Sequence, residues 1–189
     1  MIVTYHGDNY FKIQAQNRIL LIDPTNHRSF KGADIILNTL RPALTAEPED
    51  GFFWIDHQGE YEIKDICIQG WSLGEENKKE KTVYKIQFDE ITIGILGYIS
   101  KTPDKKIEEE LASSEILIIP AHGSPYLDIP ATAKLIKRIR PSIVIPSLAA
   151  NLKPFLKEFD QEKCELEEKL VVKNKELKPN AMIIRCLKY

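Results

Sequence analysis

Cysteine is scarce, three residues in 189, and Cys67, Cys164 and Cys186 lie far apart with no Cys-x-x-Cys pair. That spacing excludes a disulfide-dense scaffold and a thiolate zinc site, and leads us to expect buried, reduced thiols. Long apolar runs are also missing: nothing approaches the ~18 consecutive apolar residues of a membrane span. The opening MIVTYHGDNY has no basic segment followed by an apolar one, so a cytoplasmic, unprocessed chain without membrane contact is expected. Charge of one sign is not in excess. The 26 basic and 28 acidic residues leave a net charge of -2, which provides no global positive field for nucleic acid. Internal repeats and low-complexity segments are absent as well. What remains is a globular composition, 43% hydrophobic, 29% charged and 8% aromatic, at a length that suits one domain with its own core.

Periodicity places short strands in the first half. Residues 2–5 are β-prone, Phe11, Ile13 and Ala15 alternate with polar residues, and Ile19 to Ile22 form an apolar run stopped by Asp23-Pro24. Asp34 to Leu37 reads as a buried strand, and the proline-containing stretch behind it as a loop, which makes it a site candidate. Three short strands follow over 52–56, 60–64 and 66–70, then a charged, exposed loop from Glu75 to Lys81. Val83 to Phe88 and Ile91 to Leu96 flank Asp89-Glu90 as a hairpin.

The second half changes character. Thr102 with Pro103 predicts a helix start, with Ile107 and Leu111 on one face and Lys105–Glu109 and Lys106–Glu110 spaced for weak support. EILIIP at 115–120 is a buried strand. Asp128 caps a second helix with Pro130 in its first turn and Ala131, Leu135, Ile136 and Ile139 on one face. Ser142 to Ile145 make another strand ended by Pro146, and the tail carries a helix near Leu152 to Phe159 and strands near 169–173 and 181–187. Strand and helix alternate here, against a meander in the first half, which reads as an α/β protein of α+β type.

The ordered pieces VTYHGDNYFKI, LLIDP, GADIILNT, GEYEIKDICIQG, ITIGILGYIS, SSEILIIPAHG, ATAKLIKRIRPSIVIPS and KLVVKNKEL resemble the metallo-β-lactamase superfamily, in particular its small bacterial metal-dependent hydrolase branch related to ascorbate lactonases. The resemblance runs through most of the chain and implies a single domain over residues 1–189, a four-layer αββα sandwich with a metal site along one edge. The family's His-x-His-x-Asp-His loop would hold one or two zinc ions, because imidazoles and a carboxylate on one tight turn can reach the same metal. In this chain the corresponding ligand positions carry Leu40, Pro42, Leu44 and Thr45. The early Gly-His is Gly7-Asp8, the histidine after the central hairpin falls at or near Glu75, the bridging aspartate is Tyr98 and the last histidine is Leu148. His6, His27, His57 and His122 match none of these positions.

A catalytic zinc needs about three protein ligands and an open position for water. Without them the resemblance supports the fold and argues against the hydrolysis, so we expect a metal-free, cofactor-free pseudoenzyme that acts by binding a partner protein or its own copy. Trp71 and Tyr98 are bulky groups near the replaced positions, suited to filling the void. Three features carry other chemistry. His122, in His-Gly-Ser-Pro-Tyr after a buried strand, could meet a ligand or join Asp23 and Glu75 in a rearranged hydrolytic site, although a turn accounts for the same residues. Asp23 is the site-edge acid that stays in place, with backbone bonding in the turn before Pro24 as its expected role; with Asp8 and Glu75 it would make an oxygen-rich cation site. Lys134, Lys137, Arg138 and Arg140, with Lys101, Lys105 and Lys106, would make a phosphate or nucleic-acid patch, but no aromatics interleave with them and a solvated helix face suffices.

Overall fold

The first sheet follows directly from alternation. In the computed structural model, which describes residues 1–26, 30–47 and 52–189, β1 (Ile2–Tyr5), β2 (Phe11–Ala15) and β3 (Arg18–Ile22) form an antiparallel meander. Phe11, Ile13 and Ala15 are buried while Lys12 and Gln14 stay partly exposed, the two-residue period of a strand with one face on a core. β4 (Ile35–Leu37), apolar throughout, runs parallel to β3. The chain then donates β5 (Leu40–Arg41) to the second sheet and returns β6 (Phe53–Ile55) to the first, parallel to β4.

The second sheet begins as antiparallel β7 (Gly59–Ile63), β8 (Ile66–Glu76), β9 (Lys79–Phe88) and β10 (Ile91–Ile95). It continues in parallel through β11 (Ile116–Pro120) and β12 (Ile143–Ser147), which need crossovers and receive α1 (Lys105–Leu111) and α2 (Ile129–Ile139). The tail adds α3 (Lys153–Lys157), β13 (Leu166–Glu167), β14 (Leu170–Val171) against β1, β15 (Ile183–Ile184) along β12, and β16 (Cys186–Leu187) along β13. Strand order is β14-β1-β2-β3-β4-β6 in one sheet and β15-β12-β11-β10-β9-β8-β7 in the other, with β5 beside β9.

The sheets face each other across one apolar core containing Val3, Phe11, Ile13, Leu20, Ile86, Ile93 and Ile118. Each fully buried side chain of this size contributes about 1.5–3 kcal/mol. On the outer face of the second sheet, Leu117, Ile119 and Val144 meet Leu111, Leu135, Ile136, Ile139 and Phe155 from the three helices. Phe30, Phe52 and Trp54 pack with Tyr10, Leu21 and Ile36 over the outer face of the first sheet. The two facing sheets are the expected sandwich, with the described α-helices gathered on the second sheet and side chains rather than a helix covering the first. Among the described residues no helix is long and apolar enough to cross a membrane.

Four expectations change. The segment 75–81 is not a loop: β8 and β9 extend to Glu76 and Lys79, and the turn is Asn77-Lys78, both left-handed, as a two-residue hairpin turn of the twist-matched kind requires. α1 is capped by Asp104, whose carboxylate accepts from the Ile107 amide at 2.9 Å, so Thr102 and Pro103 lie outside the helix. Asp128 caps α2 as expected, with Ala131 donating at 2.8 Å. Leu40-Arg41 leaves its loop to pair with Lys81 and Glu80. Finally, Cys164 and Cys186 form a disulfide with Cα atoms 6.2 Å apart, and Cys67 is exposed. Spacing hid the pair because the parallel pairing of β13 with β16 brings together residues separated by 22 positions.

Candidate functional site

Five strand-to-loop transitions meet at one edge of the sandwich. The Asp8 carbonyl after β1 accepts from the Tyr5 hydroxyl and from the Leu148 amide after β12, both at 2.9 Å. Asp23 after β3 accepts from Asn9 Nδ2 at 2.6 Å and from the Thr39 amide and hydroxyl after β4 at 2.7 and 2.6 Å. Gly97 after β10 lies so close to Thr39 that a Cβ there would stand 2.2 Å from its Oγ1. Asp8, Asp23, Gly97 and Leu148 all take left-handed backbone conformations, φ 50°, 44°, 42° and 55°. In a leucine that conformation is costly and persists only where surrounding contacts hold it.

Asp23 is the centre of this scaffold. It is 1% exposed, and burial pushes its carboxyl up to about 6 against the pull of its Thr39 and Asn9 hydrogen bonds. Its role is the cross-loop one just described; the amide that it binds belongs to Thr39, not to its own turn. Around it Asn9 Oδ1, both polar atoms of the Asn38 amide, Thr45 Oγ1 and Ser147 Oγ are buried without partners among the described residues. The signal for Asn38 and Thr39 was present in the sequence, as two polar residues directly continuing a fully buried strand. Asn9 carried no comparable mark.

The positions matched to ligands hold other chemistry. Leu40 is buried and hydrogen-bonded into the second sheet opposite Lys81, Pro42 is exposed, and Leu44 is 44% exposed. Thr45 and Leu148 are buried, and Glu75 is exposed on the hairpin opposite Glu80. Tyr98 fills the centre of the edge: burial, with the nearby Asp23 and Asp8 carboxylates, holds its phenol protonated far above the ordinary range, and its ring lies 6.0 Å from that of Tyr126. Trp71 does not share this place. It packs toward the helix-side cluster with the Lys85 ammonium 5.7 Å over its ring.

His122 is exposed. Its Nδ1 lies 3.1 Å from the Ser124 carbonyl and its ring sits edge-on to Tyr126 at 6.3 Å. Among the described residues no hydrogen bond or ion pair joins His122, Asp23 and Glu75, and no group of three His, Cys, Asp or Glu side chains is placed to hold a metal. His27 lies outside the described residues. The donor set among the described residues therefore does not fit the zinc centre of the fold. On the basic helix, Arg138 is taken by a two-pronged bond to Glu108 at 2.7 Å and Lys137 lies over Phe159 at 5.6 Å.

Strand pairing and side-chain contacts hold the loop after β4. Arg41 pairs with Glu80 and reaches His57 Nε2. A guanidinium only donates, so Nε2 accepts and the Nδ1 proton of His57 points to Asp56. The Thr82 amide donates to the Thr39 carbonyl at 3.0 Å, and Lys81 joins Glu76 and Ser100. Sequence reasoning missed this network because its members come from three strands, β5, β8 and β9, and the loops beside them.

Sequence and fold comparisons agree with this two-sheet architecture. The family model for the beta-lactamase superfamily domain matches residues 2–147. No curated protein matches the chain. A structure from Thermotoga maritima, assigned as a Zn-dependent hydrolase of the metallo-β-lactamase superfamily, superposes with a TM-score of 0.81 at 17% identity, covering 98% of this chain and 97% of that one. A metallo hydrolase from the archaeon Ignicoccus hospitalis gives 0.66 at 15% identity, covering 98% and 94%. The isothiocyanate hydrolase from Delia radicum gut bacteria gives 0.65 at 16% identity, covering 90% and 99%. Likeness at this identity concerns the fold. The family model spans most of the chain, and the chain belongs to the metallo-β-lactamase superfamily, as a member whose ligand positions lack the metal-binding histidines.

Proposed function

We propose that this chain is a non-catalytic member of its family that acts by binding, with a partner protein or a second copy as the macromolecular candidates and the cytoplasm as its location. One observation carries the reading: the loop that would supply zinc ligands is held instead by β5–β9 pairing and the Arg41–Glu80 ion pair, while Tyr98 occupies the centre of the site edge. A loop held by its own hydrogen bonds does not need a metal to order it.

Elemental analysis tests the reading on protein purified without chelator from medium supplemented with zinc, manganese and iron. Traces well below one ion per chain are expected, with hydrolysis of lactone and phosphodiester substrates at the buffer rate. About one or two tightly held ions per chain, accompanied by turnover lost on chelation, would overturn it.

A further inference from the structure

The filled site edge leaves a groove beside it. Leu40, Leu44, Tyr98, Pro125 and Tyr126 form its apolar walls, and Glu76, Asn77, Lys79 and Lys81 form the opposite rim, around about 330 Å³. That volume lies at the small end of ligand sites, and a mostly apolar lining with a few polar groups at one side is their usual chemistry. The rim is unequal in charge. Lys81 is neutralised by Glu76, with Ser100 as a further partner, whereas Lys79 has no ion-pair partner among the described residues. Nor do the Tyr98 and Tyr126 hydroxyls have hydrogen-bond partners among them.

We infer that this groove binds a small organic acid: an apolar, planar body between Leu40, Leu44 and the two tyrosine rings, its anionic oxygens directed to the Lys79 ammonium and the phenol donors. The inference rests on the proposed non-catalytic reading, because it uses Tyr98 and Leu40 as binding surface where the fold's chemistry would need ligands. The Lys79 ammonium favours an anion over a neutral analogue, against the opposing Asp8 and Asp23 carboxylates near the tyrosines, and the two protonated phenols supply donors that match carboxylate acceptors. A second groove, of about 480 Å³, lies on the outer face of β7–β10 beside Glu60, Glu62, Cys67, Gln69 and Lys85. It is the natural competitor for any probe.

The test is an amide-resolved NMR titration of the full chain with 2-naphthoate and its neutral partner 2-naphthamide, in the presence of chelator. Shifts confined to Leu40, Leu44, Tyr98 and Tyr126 are expected, with naphthoate bound about threefold or more tighter than the amide, as one exposed ion pair allows. Lys79→Ala should erase that preference, and Leu44→Asp, a change at a half-exposed position that leaves the fold intact, should remove binding. Equal affinity for acid and amide, or shifts that map to the groove beside Cys67, would overturn the inference. Failure of the non-catalytic reading registers separately, as metal in the same protein assayed without probe or chelator.

Discussion

Between the two sheets, the strands obey a single rule: the large side chains are aliphatic or aromatic, and the hydroxyls of Tyr5 and Tyr84 are hydrogen-bonded to loop carbonyls. A few residues further along the same strands, at the site edge, the rule inverts. There the backbone is left-handed at Asp8, Asp23, Gly97 and Leu148, and polar Asn9, Asn38, Thr39 and Ser147 are buried. The comparison teaches that the edge keeps the turns and polar props of a site while aromatic and aliphatic groups occupy its tips. Stability in the core comes from burial; order at the edge comes from hydrogen bonds that hold unfavourable backbone in place.

That contrast can be broken most severely from the core side. Phe11→Ala opens a cavity at a fully buried position and should cost about 3–5 kcal/mol in urea unfolding. Reducing the Cys164–Cys186 bond, which closes a 22-residue separation away from both regions, should cost about 3 kcal/mol without disturbing the edge; unchanged amide shifts at Asn9 and Thr39 would verify the separation. Asp23→Ala leaves three donors unpaired and should cost about 2–3 kcal/mol.

The same aspartate sharpens the comparison through pH. Its folded carboxyl titrates near 6 rather than 3.8, so between those values the folded chain holds a proton that the unfolded chain has released. Its contribution is complete below pH 3.8 and lost as pH rises through 6, amounting to about 3 kcal/mol. A carbon-detected titration of the Asp23 carboxyl should show a midpoint near 6, and an ordinary midpoint would mean that the edge is wetter than its burial indicates. The smallest effect is a gain. Lys78→Gly at the exposed hairpin tip, where φ is 61°, creates Asn-Gly and should stabilise by about 0.5–1 kcal/mol in the same unfolding assay.

Much of the architecture was legible in the chain. The alternation at Phe11-Ile13-Ala15, the apolar strands at 35–37, 116–120 and 143–145, and the Asp128 cap are local patterns, and local patterns survive into the fold. Legible too was the absence of histidine and carboxylate side chains from Leu40, Pro42, Leu44 and Thr45, because it depends on residue identity alone. Less legible were the long hairpin at 66–88, whose charged tip reads as a loop although its backbone pairs to the end, and the Asp104 cap, which competes with an equally plausible Thr102-Pro103 start.

Residue order by itself therefore determined the two-sheet sandwich and the family, since these follow from periodicity, side-chain type and the order of the pieces. Only the tertiary structure decided that Asp23 would bind Thr39 and Asn9, that Arg41 would meet Glu80 and His57, that Cys164 would meet Cys186, and that Leu44, Lys79 and Tyr126 would share a groove. Each of these joins residues from separate loops or strands, and hydrogen bonds, ion pairs and disulfides act over a few ångströms of space, with no dependence on the length of chain between the groups.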